Sequence, residues 1–126
     1  MSNEMSHLIR VGVRILKIGS LNIQGELHAV TPLELHPERL VFLCRWPIPI
    51  TPNVKLGYEI NDGTDQISVA GRIVTEEPFM SSYLYHAEIY ADQDQKSRIT
   101  GMLNRMITDC GQGRLPYPHS NKYIIQ

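Results

Sequence analysis

Residues 53–65, Asn-Val-Lys-Leu-Gly-Tyr-Glu-Ile-Asn-Asp-Gly-Thr-Asp, decide the fold class of this chain. From Val54 to Ile60, apolar residues alternate with polar or small ones, which is the period-two pattern of a half-buried strand. The segment 61–65 is dense in residues that tolerate a left-handed backbone, and a second alternating run begins at Gln66. The stretch therefore predicts a β-hairpin with one strand on each side of a turn.

Alternation and β-branched content predict further strands on both sides of this hairpin. Together with the hairpin, the predicted strands are His7–Lys17, Ile23–Val30, Arg39–Cys44, Asn53–Ile60, Gln66–Thr75 and Ser82–Ala91. A stretch containing Pro32 and Pro37 follows the second predicted strand, and residues 76–81 join the last two. Residues 45–52 carry three prolines. Because proline removes donors that a strand ladder needs, this segment is predicted to be an extended surface loop.

A helix is predicted after the last strand, because the apolar period changes there to the spacing of one helical face. The apolar residues with this spacing are Ile99, Met102, Leu103, Met106 and Ile107. Asp92 or Asp94 is a candidate N-cap and Gly111 is a stop signal, which places the helix near residues 93–109.

The order of these elements predicts a mainly β fold: a small six-stranded antiparallel β-barrel with one C-terminal α-helix. This domain is predicted to span residues 1–109. Residues 110–126 show no periodicity and are predicted to form a C-terminal tail, although Tyr123 and its apolar neighbours give that tail a surface for docking.

Composition excludes several classes of function. The chain has 126 residues, 42% of them apolar, with 12 Lys and Arg against 13 Asp and Glu. This balance indicates one globular domain without an overall basic field, so a DNA partner is not expected. Cys44 and Cys110 lack partners at metal-ligand spacing and are interpreted as reduced thiols. Because no apolar segment of signal-peptide or membrane-span length is present, we expect a cytoplasmic address and no membrane insertion.

Motifs for catalysis are missing from the sequence. There is no glycine-rich phosphate loop, and the five histidines are scattered. Glu76 and Glu77 are adjacent, so in an extended segment they point to opposite sides, and we interpret them as a solvated loop. We therefore expect a protein that is not an enzyme and has no cofactor.

The spacing of Arg10 and Arg14 is one faint sign of a ligand site. Residues four apart on a strand share a face, and Gly12 between them has no side chain. Two guanidinium groups beside such a gap suit a phosphate, or a base stacked on their planes. The same pattern suits the solvated face of an edge strand, so the residues alone leave both interpretations open.

The run from about Leu8 to Met106 resembles a PilZ domain in the order of its parts. These parts are a basic leader, a strand pair, a short motif loop, a strand, a loop before residues 54–56, a hairpin, a strand pair containing residues 70–74 and 85–89, and a terminal helix. The resemblance implies a six-stranded barrel that binds the bacterial second messenger cyclic di-GMP through an RxxxR leader and a D/N-x-S-x-x-G motif. Arg10 and Arg14 match the leader literally, whereas the register from Ser6 to Arg10 fits the family spacing better.

For the second motif, the resemblance points to residues 31–36, Thr-Pro-Leu-Glu-Leu-His. Thr31, Leu33 and His36 stand where the family has Asp or Asn, then Ser, then Gly. Because the hydroxyl and the close backbone approach are missing, and Glu34 adds negative charge, we expect weak or absent binding of cyclic di-GMP. The candidate ligand residues that the resemblance implies are Arg10, Arg14, Thr31, Leu33 and His36.

Degenerate PilZ-like domains resemble adaptors that bind a protein partner. Aromatic and apolar side chains of the kind found in interfaces occur in the 45–52 loop, in the last predicted strand and in the tail. They are Trp46 and Ile48 in the loop, Tyr83, Tyr85 and Tyr90 in the strand, and Tyr123 in the tail. The alternative is that Trp46 caps the barrel.

Our interpretation of the sequence is a non-catalytic bacterial signalling module that binds a protein partner and binds cyclic di-GMP weakly or not at all. Two alternatives stay open. One is a cyclic di-GMP receptor that uses Arg10 and Arg14. The other is an unrelated small barrel that binds an oligonucleotide, against which the net charge of -1 and the small aromatic set of one Trp, six Tyr and two Phe argue.

Overall fold

A computed structural model describes residues 8–111 of the chain, and the side chains of residues 8–108. Within this range the elements, in chain order, are β1 (Arg10–Ile18), β2 (Leu21–Asn22), β3 (His28–His36), β4 (Arg39–Cys44), β5 (Val54–Asn61), β6 (Gln66–Phe79), β7 (Ser82–Tyr90) and α1 (Gln93–Gly111).

The strands form one antiparallel sheet that closes on itself. Their order is β2-β1-β3-β4-β7-β6-β5, and β5 pairs back onto β1. Six strands thus make a closed barrel, and β2 is an extra short strand on β1. The predicted six-stranded antiparallel barrel with a C-terminal helix is confirmed, and so is the hairpin at 61–65, where Ile60 pairs with Ile67.

Alternate residues of each strand fill the barrel. In β1, Val11 and Val13 are buried, as the alternation predicts. Aromatic rings pack in the centre: the ring centroid of Phe42 lies 6.0 Å from that of Tyr58 and 5.4 Å from that of Tyr85. Tyr85 is completely buried, so the prediction that it contributes surface is wrong. On β7 it has the inward register of Phe42, its partner on β4.

The predicted strand Ile23–Val30 is wrong. Residues 23–27 run irregularly beside β1, where the Gly25 amide donates to the Ile15 carbonyl at 3.1 Å, and the strand begins only at His28. The strand β3 then includes Pro32. Proline is tolerated there because β3 pairs with β1 only from His28 to Val30, and the β3–β4 pairing is irregular between Pro32 and Glu34. At such a position the missing proline N–H removes no bond to β1.

The predicted loop at 76–81 is also wrong, because β6 and β7 continue as a hairpin to Phe79 and Ser82. The turn residue Met80 has a φ of 55° and is 93% exposed. Beyond Gly71, the last β6 residue paired with β5, β6 pairs with β7 alone. Glu76 therefore lies on a strand instead of a solvated loop.

The helix α1 packs over the barrel end formed by the β5–β6 and β3–β4 turns. Asp92 is its N-cap: its Oδ1 accepts from the Gln95 amide at 2.8 Å, and Gln95 Oε1 accepts from the Asp92 amide at 3.0 Å. The predicted apolar stripe is buried, at Ile99, Met102, Leu103 and Met106. The helix ends at Gly111, two residues beyond the predicted end.

Candidate functional site

The end of the barrel opposite α1 is crossed by a proline-rich loop. Because the strands are antiparallel, the last residue of β4, Cys44, and the first residues of β3 and β5, His28 and Val54, meet at this open end. Residues 45–53 form the loop, one residue longer than the predicted 45–52. We call its central part, Trp46–Pro49, the strap.

One buried phenol anchors the strap. The Ile48 amide donates to Tyr85 Oη at 2.7 Å, and Tyr85 Oη donates to Glu76 Oε2 at 2.6 Å. Burial raises the pKa of Tyr85 far above its usual value, and the neighbouring Glu76 carboxylate adds to the rise. The phenol therefore stays protonated and joins the strap to the β6–β7 hairpin, where Glu76 pairs with Tyr85.

A pocket of about 260 Å³ lies under the strap, in the open end of the barrel. Its walls are almost entirely apolar. Its lining includes Val13, Val30, Cys44 and Leu56 of the barrel and Trp46 and Ile48 of the strap. Cys44 is a buried free thiol, as predicted, and Cys110 has its side chain outside the described range.

Trp46 and His28 form the rim of this pocket. Their ring centroids lie 6.0 Å apart, and Trp46 remains 58% exposed. Other exposed apolar side chains lie at or near this end, namely Ile18, Leu21, Leu27 and Ile50. A large aromatic residue with so much exposed surface, among apolar neighbours, is typical of a binding surface.

The outer face of β1 carries the two candidate ligand arginines, Arg10 and Arg14. Leu27 covers the glycine between them, since a Cβ added at Gly12 would lie 2.7 Å from Leu27 Cγ. Arg14 Nη2 donates to Glu59 Oε2 on β5 at 3.1 Å. The gap that the sequence pattern indicated is therefore filled by a leucine, and the charge of Arg14 is matched by a carboxylate.

The candidate residues on β3 are spread along that strand. Val11 pairs with Val30, so Arg10 and Thr31 are the next positions at the point where the two strands separate. Leu33 is half-buried in the irregular part of β3. His36 ends β3, where its Nε2 lies 3.6 Å from Glu34 Oε1. Thr31, but not the whole motif, therefore follows Arg10 in the register of β1 and β3, one position beyond their last pair.

Two parts of the candidate sites lie outside the described residues: Tyr123, with residues 112–126 of the predicted tail, and Ser6 of the leader. Among residues 8–108, no group of three or more His, Cys, Asp and Glu side chains is arranged to hold a metal ion. No helix in the described part of the chain has the length and apolar character needed to span a bilayer.

Sequence reasoning missed the pocket, its rim residue His28 and the Tyr85 anchor. The available signal was the alternation of β7, in which Tyr85, Ala87 and Ile89 share a parity and are all buried. Neither a protein-family model nor a curated protein matches this chain.

Proposed function

We propose that this chain is a non-catalytic, PilZ-like signalling module that binds a protein partner at the open end of its barrel. The observation that carries the proposal is the exposure of Trp46 on a strap that Tyr85 anchors. Tryptophan is enriched among residues that dominate interface energies, and a fixed backbone lowers the entropy lost on binding.

Weak or absent binding of cyclic di-GMP is part of the same proposal. A dianionic nucleotide needs guanidinium groups available to its phosphates. Arg14 is paired with Glu59, and Leu27 fills the space over Gly12. Leu33 supplies no hydroxyl where the PilZ motif has serine.

One observation favours the alternative of a cyclic di-GMP receptor. Arg10 and Thr31 are both exposed and stand one position beyond the last β1–β3 pair, so a guanidinium group and a hydroxyl are available in this part of the barrel wall. A nucleotide phosphate could bind both groups.

Isothermal titration with cyclic di-GMP, with GMP as the control ligand, separates these two functions. We expect no saturable heat for the natural protein. Saturable binding that Arg10→Ala abolishes, with an unchanged thermal midpoint, would establish the receptor instead. Arg14→Ala then reports whether the arginine paired with Glu59 contributes.

Partner binding is tested with a photoreactive phenylalanine analogue in place of Trp46. The protein crosslinked in cells is identified, purified and titrated against the natural chain, Trp46→Ser and the control Tyr90→Ser. Tyr90 is also exposed, at 55%, but it ends β7 beside the start of α1 and so lies at the end of the barrel opposite the strap. We expect Trp46→Ser to weaken binding by about 30-fold, the size of an interface hot spot, and Tyr90→Ser to have little effect. Equal affinity of the natural chain and Trp46→Ser would refute the proposed surface.

A further inference from the structure

We infer that the pocket under the strap is a binding site for a small, uncharged apolar molecule, such as a medium-length alkyl chain or a fused aromatic ring. This inference goes beyond partner binding, because the ligand would occupy the pocket inside the open end of the barrel, while a partner contacts the outer side of the strap.

The size and the lining of the pocket define the ligand class. Its volume of about 260 Å³ exceeds the ~150 Å³ of an engineered apolar cavity that takes up benzene. Val13, Val30 and Leu56 supply aliphatic walls, and Ile48 supplies the cover. Such walls gain from contact with apolar atoms and offer water few hydrogen bonds.

The charges around the pocket favour a neutral ligand over an ion. Among the described lining residues, Arg14 alone carries a permanent charge, and its guanidinium group is bound to Glu59. His28 and Trp46 stand at the rim, where imidazole and indole N–H groups suit a hydroxyl or a carbonyl at the end of the ligand. Between the apolar walls, an ammonium or carboxylate group would lose hydration, and the one permanent cation among the described lining residues, Arg14, is already paired with Glu59.

The pocket has a support that does not depend on a ligand. The strap is held by the hydrogen bond of the Ile48 amide to the buried Tyr85, whose ring stacks on Phe42. Pro47 and Pro49 restrict the backbone on both sides of Ile48. The position of the cover is thus fixed by the protein itself, which favours a preformed site over a cleft that collapses when empty.

The experiment uses Trp46, the one tryptophan of the chain, as an intrinsic reporter. The full-length protein is titrated with 1-octanol, octanoate and octylammonium at neutral pH while tryptophan emission is recorded. We expect a saturable change with 1-octanol, and at least tenfold weaker responses to both ions. A linear response without saturation, or equal responses to all three probes, would overturn the inference.

Matched variants locate the binding. Val30→Phe fills the pocket and is expected to remove saturation, whereas Val74→Phe, at a position 49% exposed and outside the lining, is expected to retain it. Identical titrations for the two variants would contradict binding in the pocket.

A chemical readout decides the question if Val30→Phe does not fold. In a Cys110→Ser background, the rate at which N-ethylmaleimide modifies Cys44 is measured with and without 1-octanol. Cys44 lines the pocket, so we expect saturating 1-octanol to slow the modification at least fivefold. An unchanged rate would refute occupancy.

Discussion

Arg105 Nε donates a 2.7 Å hydrogen bond to Oδ2 of Asp62, whose side chain is completely buried. The other carboxylate oxygen, Oδ1, accepts from the backbone amides of Thr64 at 2.9 Å and Asp65 at 2.8 Å. Asp62 thus stabilises the β5–β6 turn and, through Arg105, binds helix α1 to that turn. Arg98 makes a similar contact two helical turns nearer the N-terminus, with Nη2 at 2.6 Å from Asp65 Oδ1.

Arg105→Met is expected to lower the free energy of unfolding by about 2 kcal/mol, because it leaves the Asp62 carboxylate buried without its cation. The loss falls below the larger values for fully buried pairs, since Arg105 is partly exposed and the turn amides still bind Asp62. The measurement is urea denaturation. Arg72→Met is the control, because its pair with Glu88 is largely exposed and its loss should cost under ~1 kcal/mol. Similar losses for the two variants would contradict the importance of this contact.

Stability is expected to decrease at acid pH through the two turn aspartates. Burial would raise the pKa of Asp62, but the Arg105 bond and the turn amides hold that pKa below its usual value. Arg98 lowers the pKa of Asp65 to about 2. Since both pKa values are lower in the folded chain, their contribution is complete above the unfolded value of about 4 and is lost as pH falls through the folded values.

Urea denaturation at a series of pH values checks this dependence. The free energy of unfolding should be nearly constant from about pH 7 to 5 and fall between about pH 4 and 2. Asp65→Asn should be less stable at neutral pH and show a shallower fall. If the free energy of unfolding of Asp65→Asn falls as steeply between about pH 4 and 2 as that of the natural chain, other carboxylates control the loss of stability at acid pH.

Tyr85→Phe is expected to release the strap while leaving the ring stack with Phe42 in place. It deprives the Ile48 amide of its acceptor, which should cost about 1 to 2 kcal/mol and speed hydrogen exchange at Ile48 at least tenfold. Exchange is measured by NMR, with Tyr83→Phe as the control on the same strand. Unchanged protection of the Ile48 amide would show that the prolines alone hold the strap.

Two glycine substitutions are expected to have opposite effects. A Cβ at Gly71 would lie 2.8 Å from Tyr58 Cε2 and press on the Glu88 carbonyl oxygen, whereas at Gly101 its nearest contact is Arg105 Nη1 at 3.7 Å. Gly71→Ala should lower the free energy of unfolding by about 1 to 3 kcal/mol through overpacking. Gly101→Ala should raise it by about 0.5 to 1 kcal/mol, because alanine favours the helix. Stabilisation by both would contradict the close approach at Gly71.

Local patterns were sufficient for much of the fold. The alternation at Val54–Ile60 and the turn residues after it gave β5 and the hairpin, and the helical spacing from Ile99 gave α1. Pro32 misled the prediction of β3, because whether proline is tolerated depends on whether a neighbouring strand is paired there. That is a property of the closed sheet and not of the local sequence.

The candidate site was less predictable, because its contacts join residues distant in the chain. The spacing of Arg10 and Arg14 correctly gave a shared face, yet only the fold shows that Leu27 covers Gly12 and that Glu59 binds Arg14. The residue type alone predicts Trp46 as an interface residue, whereas the pocket beneath it depends on how the strap packs over the open end of the barrel. A single sequence contains no local pattern for such a cavity.

Closure of the barrel also has a consequence for the kinetics of folding. The first barrel strand, β1, must pair with β5, and the Arg14–Glu59 ion pair that spans them joins residues 45 positions apart. During synthesis, β3, β4 and β5 must all be made before β1 can pair with β5. Such non-local pairing slows folding, and β4 and β7 also join residues far apart in the chain. Closure of the barrel through these two pairings is therefore expected to be the late stage at which a nascent or refolding chain is most exposed to aggregation.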